Sequence, residues 1–108
     1  MRIDFKFRNT EHSDELMEYV AERVERLEKF ERKPVRIEIT FLSQKQTCRV
    51  DISIHGKGMD LHSHHESSSF FDSADDAIDK ISRQMERKKH SRTHQRRPKP
   101  NSTDRKVS

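Results

Sequence analysis

Three stretches of this chain alternate apolar and polar residues without a break, and few folds accommodate that pattern. Ile3, Phe5 and Phe7 alternate with Arg2, Asp4, Lys6 and Arg8. Val35, Ile37, Ile39 and Phe41 alternate with Arg36, Glu38 and Thr40, and Cys48, Val50, Ile52 and Ile54 alternate with Arg49, Asp51, Ser53 and His55. Successive side chains on a strand point to opposite faces, so each stretch reads as a strand with one dry and one wet face. The polar segment Ser43 to Thr47 joins the second strand to the third. His55-Gly56-Lys57-Gly58 supplies the glycines of a tight reversal into a fourth, weaker strand. There Met59 and Leu61 keep to the dry side, and the strand is expected to end near Glu66. Such one-sided alternation belongs to a mainly antiparallel sheet with one face covered and the other in water.

Two helices are available as the cover. Ser13 is a suitable N-cap, Asp14 and Glu15 suit a first turn, and Leu16, Val20, Val24 and Leu27 then recur at helical spacing with Met17 and Ala21 beside them. The spacing predicts a helix over about residues 14–32, stopped by Pro34. Ser69 with Asp72 three positions on resembles a capping box, with Asp in place of Glu. It opens a second helix whose Phe70, Ala74, Ala77, Ile78, Ile81 and Met85 share one face. The element order is therefore β-α-β-β-β-α. A helical crossover makes the first two strands parallel, and short connections make the later ones antiparallel. The predicted class is α+β: a four-stranded mixed sheet with two helices on one face.

Composition sets the limits of that core. Only 29% of the 108 residues are apolar while 39% are charged, which approaches the disordered class. The net charge of +4 divides unevenly: residues 1–86 carry 14 Lys or Arg against 18 Asp or Glu, a net of −4, and residues 87–108 carry nine against one, a net of +8. Past about residue 90 the apolar content is too low to offset the entropy of ordering. The expectation is a domain over 1–90 and a disordered basic arm over 91–108. No apolar run exceeds Tyr19-Val20-Ala21, which provides neither a membrane span nor the apolar stretch of a secretory leader. A soluble, cytoplasmic protein is expected. A single cysteine, Cys48, leaves no internal disulfide and no CxxC-type zinc site.

The cations of the two helices are segregated. Arg23, Arg26 and Lys29 descend one flank of the first at steps of three, with Glu18, Glu25 and Glu28 on the back and the opposite flank. Lys80, Arg83 and Arg87 lie at i, i+3 and i+7 on the second, with Asp72, Asp75 and Asp79 mostly round from them. Charged faces are the default for surface helices, and Asp76–Lys80, Asp79–Arg83 and Glu22–Arg26 are spaced as i, i+4 pairs. What favours nucleic acid is continuity: the second helix runs directly into RKKHSR from Arg87, one basic path with the arm.

Two segments carry a resemblance, Ala21 to Phe30 reading AERVERLEKF and Ala77 to Met85 reading AIDKISRQM. With the strand order, they make residues 1–95 similar to the ribosome hibernation-promoting factors and ribosome-associated translation inhibitors of bacteria, in their short form. The resemblance implies a domain shaped like a double-stranded RNA-binding domain that occupies the messenger- and transfer-RNA channel of the small ribosomal subunit. That binding silences idle ribosomes in stationary phase or starvation. By position, the cations implied to meet rRNA phosphates are Arg23, Arg26, Lys29, Lys80, Arg83, Arg87, Lys88 and Lys89. Small subunit, rRNA and intact ribosome are the implied partners. No membrane, small-molecule substrate or cofactor is implied, and the protein is expected to be monomeric off the ribosome.

Some residues depart from the family's pattern. Members commonly carry Asp-Met-Tyr at the start of the second helix, where this chain has Ser69-Phe70-Phe71 and so lacks that tyrosine hydroxyl. Ser63 to Ser69 is unusually polar, so an early end or mobility of the fourth strand is anticipated. With no second module following, pairing of ribosomes by this chain alone is not expected. The arm is open to two jobs, lying along the messenger path or blocking the site of a ribosome-pairing partner.

Chemistry of other kinds finds less support. His55, His62, His64 and His65 suggest metal, and His62 and His64 share a strand face, but no HExxH or Cys/His spacing accompanies them. No metal is assigned. Cys48 reads as a buried structural thiol, and Ser67 to Ser69 as a cap and linker without a nucleophile-elbow context. No acid, base and nucleophile converge, so no enzymatic activity is expected. Two other binding classes compete with the ribosome reading: a general RNA-binding module, and a protein-interaction domain with an incidental basic tail.

Overall fold

The computed structural model describes residues 1–29 and 34–94, without the side chains of Glu28 and of residues 87–94. Its elements are β1 (Arg2–Arg8), α1 (Asp14–Val24) continued by a 3-10 segment (Glu25–Lys29), β2 (Arg36–Gln44), β3 (Thr47–Gly56), β4 (Met59–Ser67) and α2 (Phe70–His94). The four strands form one sheet in sequence order. β1 runs parallel to β2, with Phe5 opposite Ile39 and Phe7 opposite Phe41. The next two pairings are antiparallel, setting Ile39 beside Ile52 and Ile54 beside Leu61. This is the predicted α+β architecture.

Register puts every second residue of each strand on the face beneath the helices. Ile37, Ile39, Phe41, Val50, Ile52 and Ile54 are buried there against Val20 and Val24 of α1 and Ala74, Ala77 and Ile81 of α2. Each such large side chain contributes roughly 1.5–3 kcal/mol by leaving water. Phe41 is the hinge of the cluster, stacked on Phe7 at 4.8 Å and met edge-on by Phe70 at 5.7 Å.

Several boundaries differ from expectation, each for a local reason. α1 gives way to the 3-10 segment at Glu25 rather than continuing as α-helix toward residue 32. A tightened last turn ahead of a proline-restricted residue is common, and Leu27 stays buried through it. Residues 30–33 lie outside the described residues. Val35 shares the parity of the dry face yet is 62% exposed, because β2 starts only at Arg36. Its backbone is still used, donating to the His55 carbonyl at 2.8 Å and accepting from the Arg2 amide at 2.9 Å. The β2–β3 connection shrinks to Lys45-Gln46, with Lys45 at φ 50°. At the next reversal Gly58, at φ 67°, occupies a conformation in which a Cβ would be penalised.

β4 does not end early. It reaches Ser67 because its serines bond inward. The buried Ser63 donates to the Ala77 carbonyl of α2 at 2.7 Å. The Ser67 and Ser73 hydroxyls meet at 2.7 Å, and Ser73 donates to the Cys48 carbonyl at 2.6 Å. Cys48 itself is only half-buried rather than fully enclosed. Ser13 caps α1 as expected, accepting from the Leu16 amide at 3.2 Å. Ser69 caps α2 through the Phe71 amide at 3.1 Å, one residue short of the capping-box position.

α2 extends to His94, so the expected domain boundary at residue 90 falls inside a helix. Of the expected arm, residues 95–108 lie outside the described residues. Alongside β4, α2 reaches alternate carbonyls of that edge strand, Lys80 Nζ donating to His64 at 3.0 Å and Gln84 Nε2 to His62 at 2.7 Å.

Candidate nucleic-acid interface

The two helices lie side by side on the sheet, and the flank of α1 that bears cations faces α2. Between them runs a groove of about 260 Å3. Arg23, Arg26, Leu27 and Lys29 line one wall, and Asp75, Ile78, Asp79 and Ser82 the other. All three expected cations of the first helix thus come together. Arg26 and Lys29 are exposed.

Arg23 is held differently. Its side chain is 28% exposed, and its Nε lies 3.2 Å from Asp75 Oδ1 across the groove. Nη1 donates to the Tyr19 carbonyl at 3.2 Å and approaches Glu22 Oε1 at 3.5 Å. The guanidinium sits 3.5 Å from the centre of the Tyr19 ring, a cation–π contact. Tyr19 donates its hydroxyl to Asp75 Oδ2 at 2.8 Å and packs edge-on against Phe71 at 4.9 Å. The bond to Asp75 raises the phenol's pKa above its ordinary value, since a carboxylate favours the neutral donor, and desolvation adds to the effect. Tyr19 and Asp75 are not among the expected site residues; spacing placed Asp75 only among the carboxylates turned away from the α2 cations. A tyrosine four residues before an arginine was the only local signal. That Asp75 closes the cluster depends on how the helices pack.

The α2 cations sit elsewhere. Arg83 is 65% exposed and pairs with Asp79 at 2.6 Å, the i, i+4 arrangement its spacing allowed. Lys80, besides bonding β4, has Nζ 3.3 Å from His65 Nδ1, while His65 Nε2 meets Asp76 Oδ2 at 3.1 Å. Asp76 therefore turns to His65, and Lys80 to the sheet edge. Arg87, Lys88 and Lys89 are placed on α2 by its backbone, and their side chains lie outside the described residues.

The opposite face of the sheet carries His55, His62 and His64, while His65 faces α2. His55 contacts Glu38 at 3.3 Å and Asp60 at 3.1 Å, and His62 contacts Asp60 at 3.3 Å and Ser53 at 2.9 Å. His64 lies one row along, opposite Asp51. Among the described residues no group of three His, Cys, Asp or Glu is placed to hold a metal ion. On the same face Asp4 is gripped by Arg36 at 3.1 Å and Arg2 at 3.3 Å. Desolvation pushes its carboxyl upward, but the hydrogen bonds and charges of the two arginines prevail and hold it below the usual value. Among the described residues no helix is long and apolar enough to cross a membrane.

Known proteins resemble this chain in sequence or in fold. The ribosome hibernation promoting factor of Salmonella typhimurium is 26% identical over 89 residues, which is 82% of this chain and 94% of that protein. A ribosomal subunit interface protein from Coxiella burnetii superposes with a TM-score of 0.74 at 20% identity, covering 83% of this chain and 99% of that one. The N-terminal domain of Thermus thermophilus Protein Y gives 0.73 at 20% identity, over 81% and 98%. The match to the family described as sigma 54 modulation protein / S30EA ribosomal protein spans residues 3–93, so all of α1 and nearly all of the sheet and of α2 fall within it. The chain belongs to that family.

Proposed function

We propose that this protein is a ribosome-associated hibernation factor that binds the small subunit through rRNA phosphates in the messenger- and transfer-RNA channel and silences idle ribosomes. The observation that carries the reading is the interhelical groove, where Arg26 and Lys29 stand exposed on a wall shared with Arg23. Family membership and the likeness to the Salmonella factor support the ribosome as the partner. Recognition of a folded RNA channel rests on shape and backbone charge, for which exposed guanidinium and ammonium groups suffice. Arg83 adds a cation beside the groove. Arg87, Lys88 and Lys89 continue the basic path, and residues 91–108 add affinity through charge. In this reading the domain over residues 1–90 is the ribosome-binding unit, monomeric off the ribosome, in the cytoplasm, and it acts by occupancy rather than by catalysis.

Sedimentation of extracts from starved cells tests it. The protein is expected to co-migrate with small subunits or intact ribosomes and to be released at high salt. Sedimentation as free protein at low salt would overturn the proposal, and capture by unrelated RNA alone would favour a general RNA-binding module.

A further inference from the structure

We propose that Asp75 is a specificity-determining residue of the interhelical groove: its carboxylate occupies the place of a phosphate on Arg23, so RNA that takes Arg23 must displace a built-in counter-charge. The inference rests on the groove being an RNA-binding surface and deepens that reading.

The geometry is that of an oxyanion held by two donors. Oδ1 lies 3.2 Å from Arg23 Nε and Oδ2 accepts from the Tyr19 hydroxyl at 2.8 Å. Both donors come from α1 and the acceptor from α2, so the contact spans the groove. Two of the three guanidinium nitrogens of Arg23 are thereby engaged within the protein, Nε by Asp75 and Nη1 by Tyr19 and Glu22. A phosphate entering the groove is attracted by Arg26 and Lys29 but meets the charges of Asp75 and Asp79 on the facing wall. Asp79 is neutralised from outside by Arg83. Asp75 is neutralised by Arg23 itself, so a phosphate gains that guanidinium only by displacing the carboxylate from it.

The penalty falls on a ligand that must take Arg23 from Asp75 in order to bind, and specificity follows from how much of it each ligand bears. Unrelated duplex RNA touches the groove with a few backbone phosphates and gains little to offset the displacement. A surface shaped to the molecule engages Arg26, Lys29 and Arg83 together and leaves Arg23 largely on Asp75, so it bears less of the cost. Partly exposed ion pairs are weak, so the latch discriminates without locking the groove shut.

Fluorescently labelled duplex RNA of unrelated sequence and purified small subunits, each titrated over a salt series, provide the test. Asp75→Asn is expected to bind the unrelated duplex roughly 3- to 10-fold more tightly, with a log–log salt slope steeper by about one unit. Its gain on small subunits is smaller, so the ratio of the two affinities falls. Asp75→Ser should move both readouts the same way, and Asp75→Glu should restore wild-type behaviour. The proposal is overturned if variants lacking the charge melt like the wild type yet bind the duplex no more tightly, or if Asp75→Glu behaves like Asp75→Asn. Arg26→Glu in the same series separates the two levels of inference. If it weakens binding and Asp75→Asn changes nothing, only the latch fails; if it changes neither affinity, the groove is not an RNA surface and both readings fall.

Discussion

Asp4 and Tyr19 show how single side chains record their surroundings as proton affinities. The carboxyl of Asp4 is held below its ordinary value by Arg36 and Arg2. A depressed carboxyl contributes stability that is complete above the unfolded value, about pH 4, and is lost as pH falls through the folded one. Unfolding followed from pH 6 down to pH 2 should therefore show an acid-side loss that Asp4→Asn reduces; identical profiles for the two proteins would refute this. Tyr19 has the opposite sign. Its raised phenol favours the protonated form in the fold, so stability is intact below about pH 10 and falls as pH rises beyond it. Tyr19→Phe should flatten that alkaline decline and cost about 0.5–1.5 kcal/mol at neutral pH through the lost hydrogen bond. The Tyr19 ring also touches Phe71 at the start of α2. No spacing rule within one helix reveals such a contact.

At the level of elements, alternation made the strands legible and one-sided spacing made the helices legible, since both periods are local properties of the chain. The differences arose where long-range contacts decide. β4 continues through its serines because Ser63 and Ser67 find partners on α2, and a polar residue with a buried partner looks the same in sequence as one in a loop. Ser73 is the most enclosed of these, at 0% exposure, and joins β3 to α2 through the Cys48 carbonyl. Ser73→Ala is expected to cost about 1–3 kcal/mol in denaturant unfolding, because a buried acceptor loses its donor. Ile39→Ala, which opens a cavity at the centre of the sheet, should cost about 2–5 kcal/mol. A smaller loss for Ile39 than for Ser73 would show that the polar joint, not the apolar layer, limits stability. The candidate site was only partly legible for a related reason. Spacing placed Arg23, Arg26 and Lys29 on one flank, and the structure gathers them in one groove. It could not show that Arg23 turns inward to Asp75 or that Lys80 is drawn to the edge of β4.

For the whole molecule, the charge divides between a −4 segment and a +8 extension. Under the ribosome proposal, Arg26→Glu with Arg83→Glu should weaken small-subunit binding and lower the log–log salt slope by about one unit for each phosphate contact removed. An unchanged slope would mean that these cations face solvent in the complex. The sheet adds a consequence of another kind. Lys80 and Gln84 of α2 donate to two carbonyls of the edge strand β4, while β1, the opposite edge, pairs only with β2 among the described residues. Among the described residues the two edges thus differ in how readily they accept a further strand. Strand addition is therefore expected at β1 before β4, where two of the edge carbonyls are already bonded.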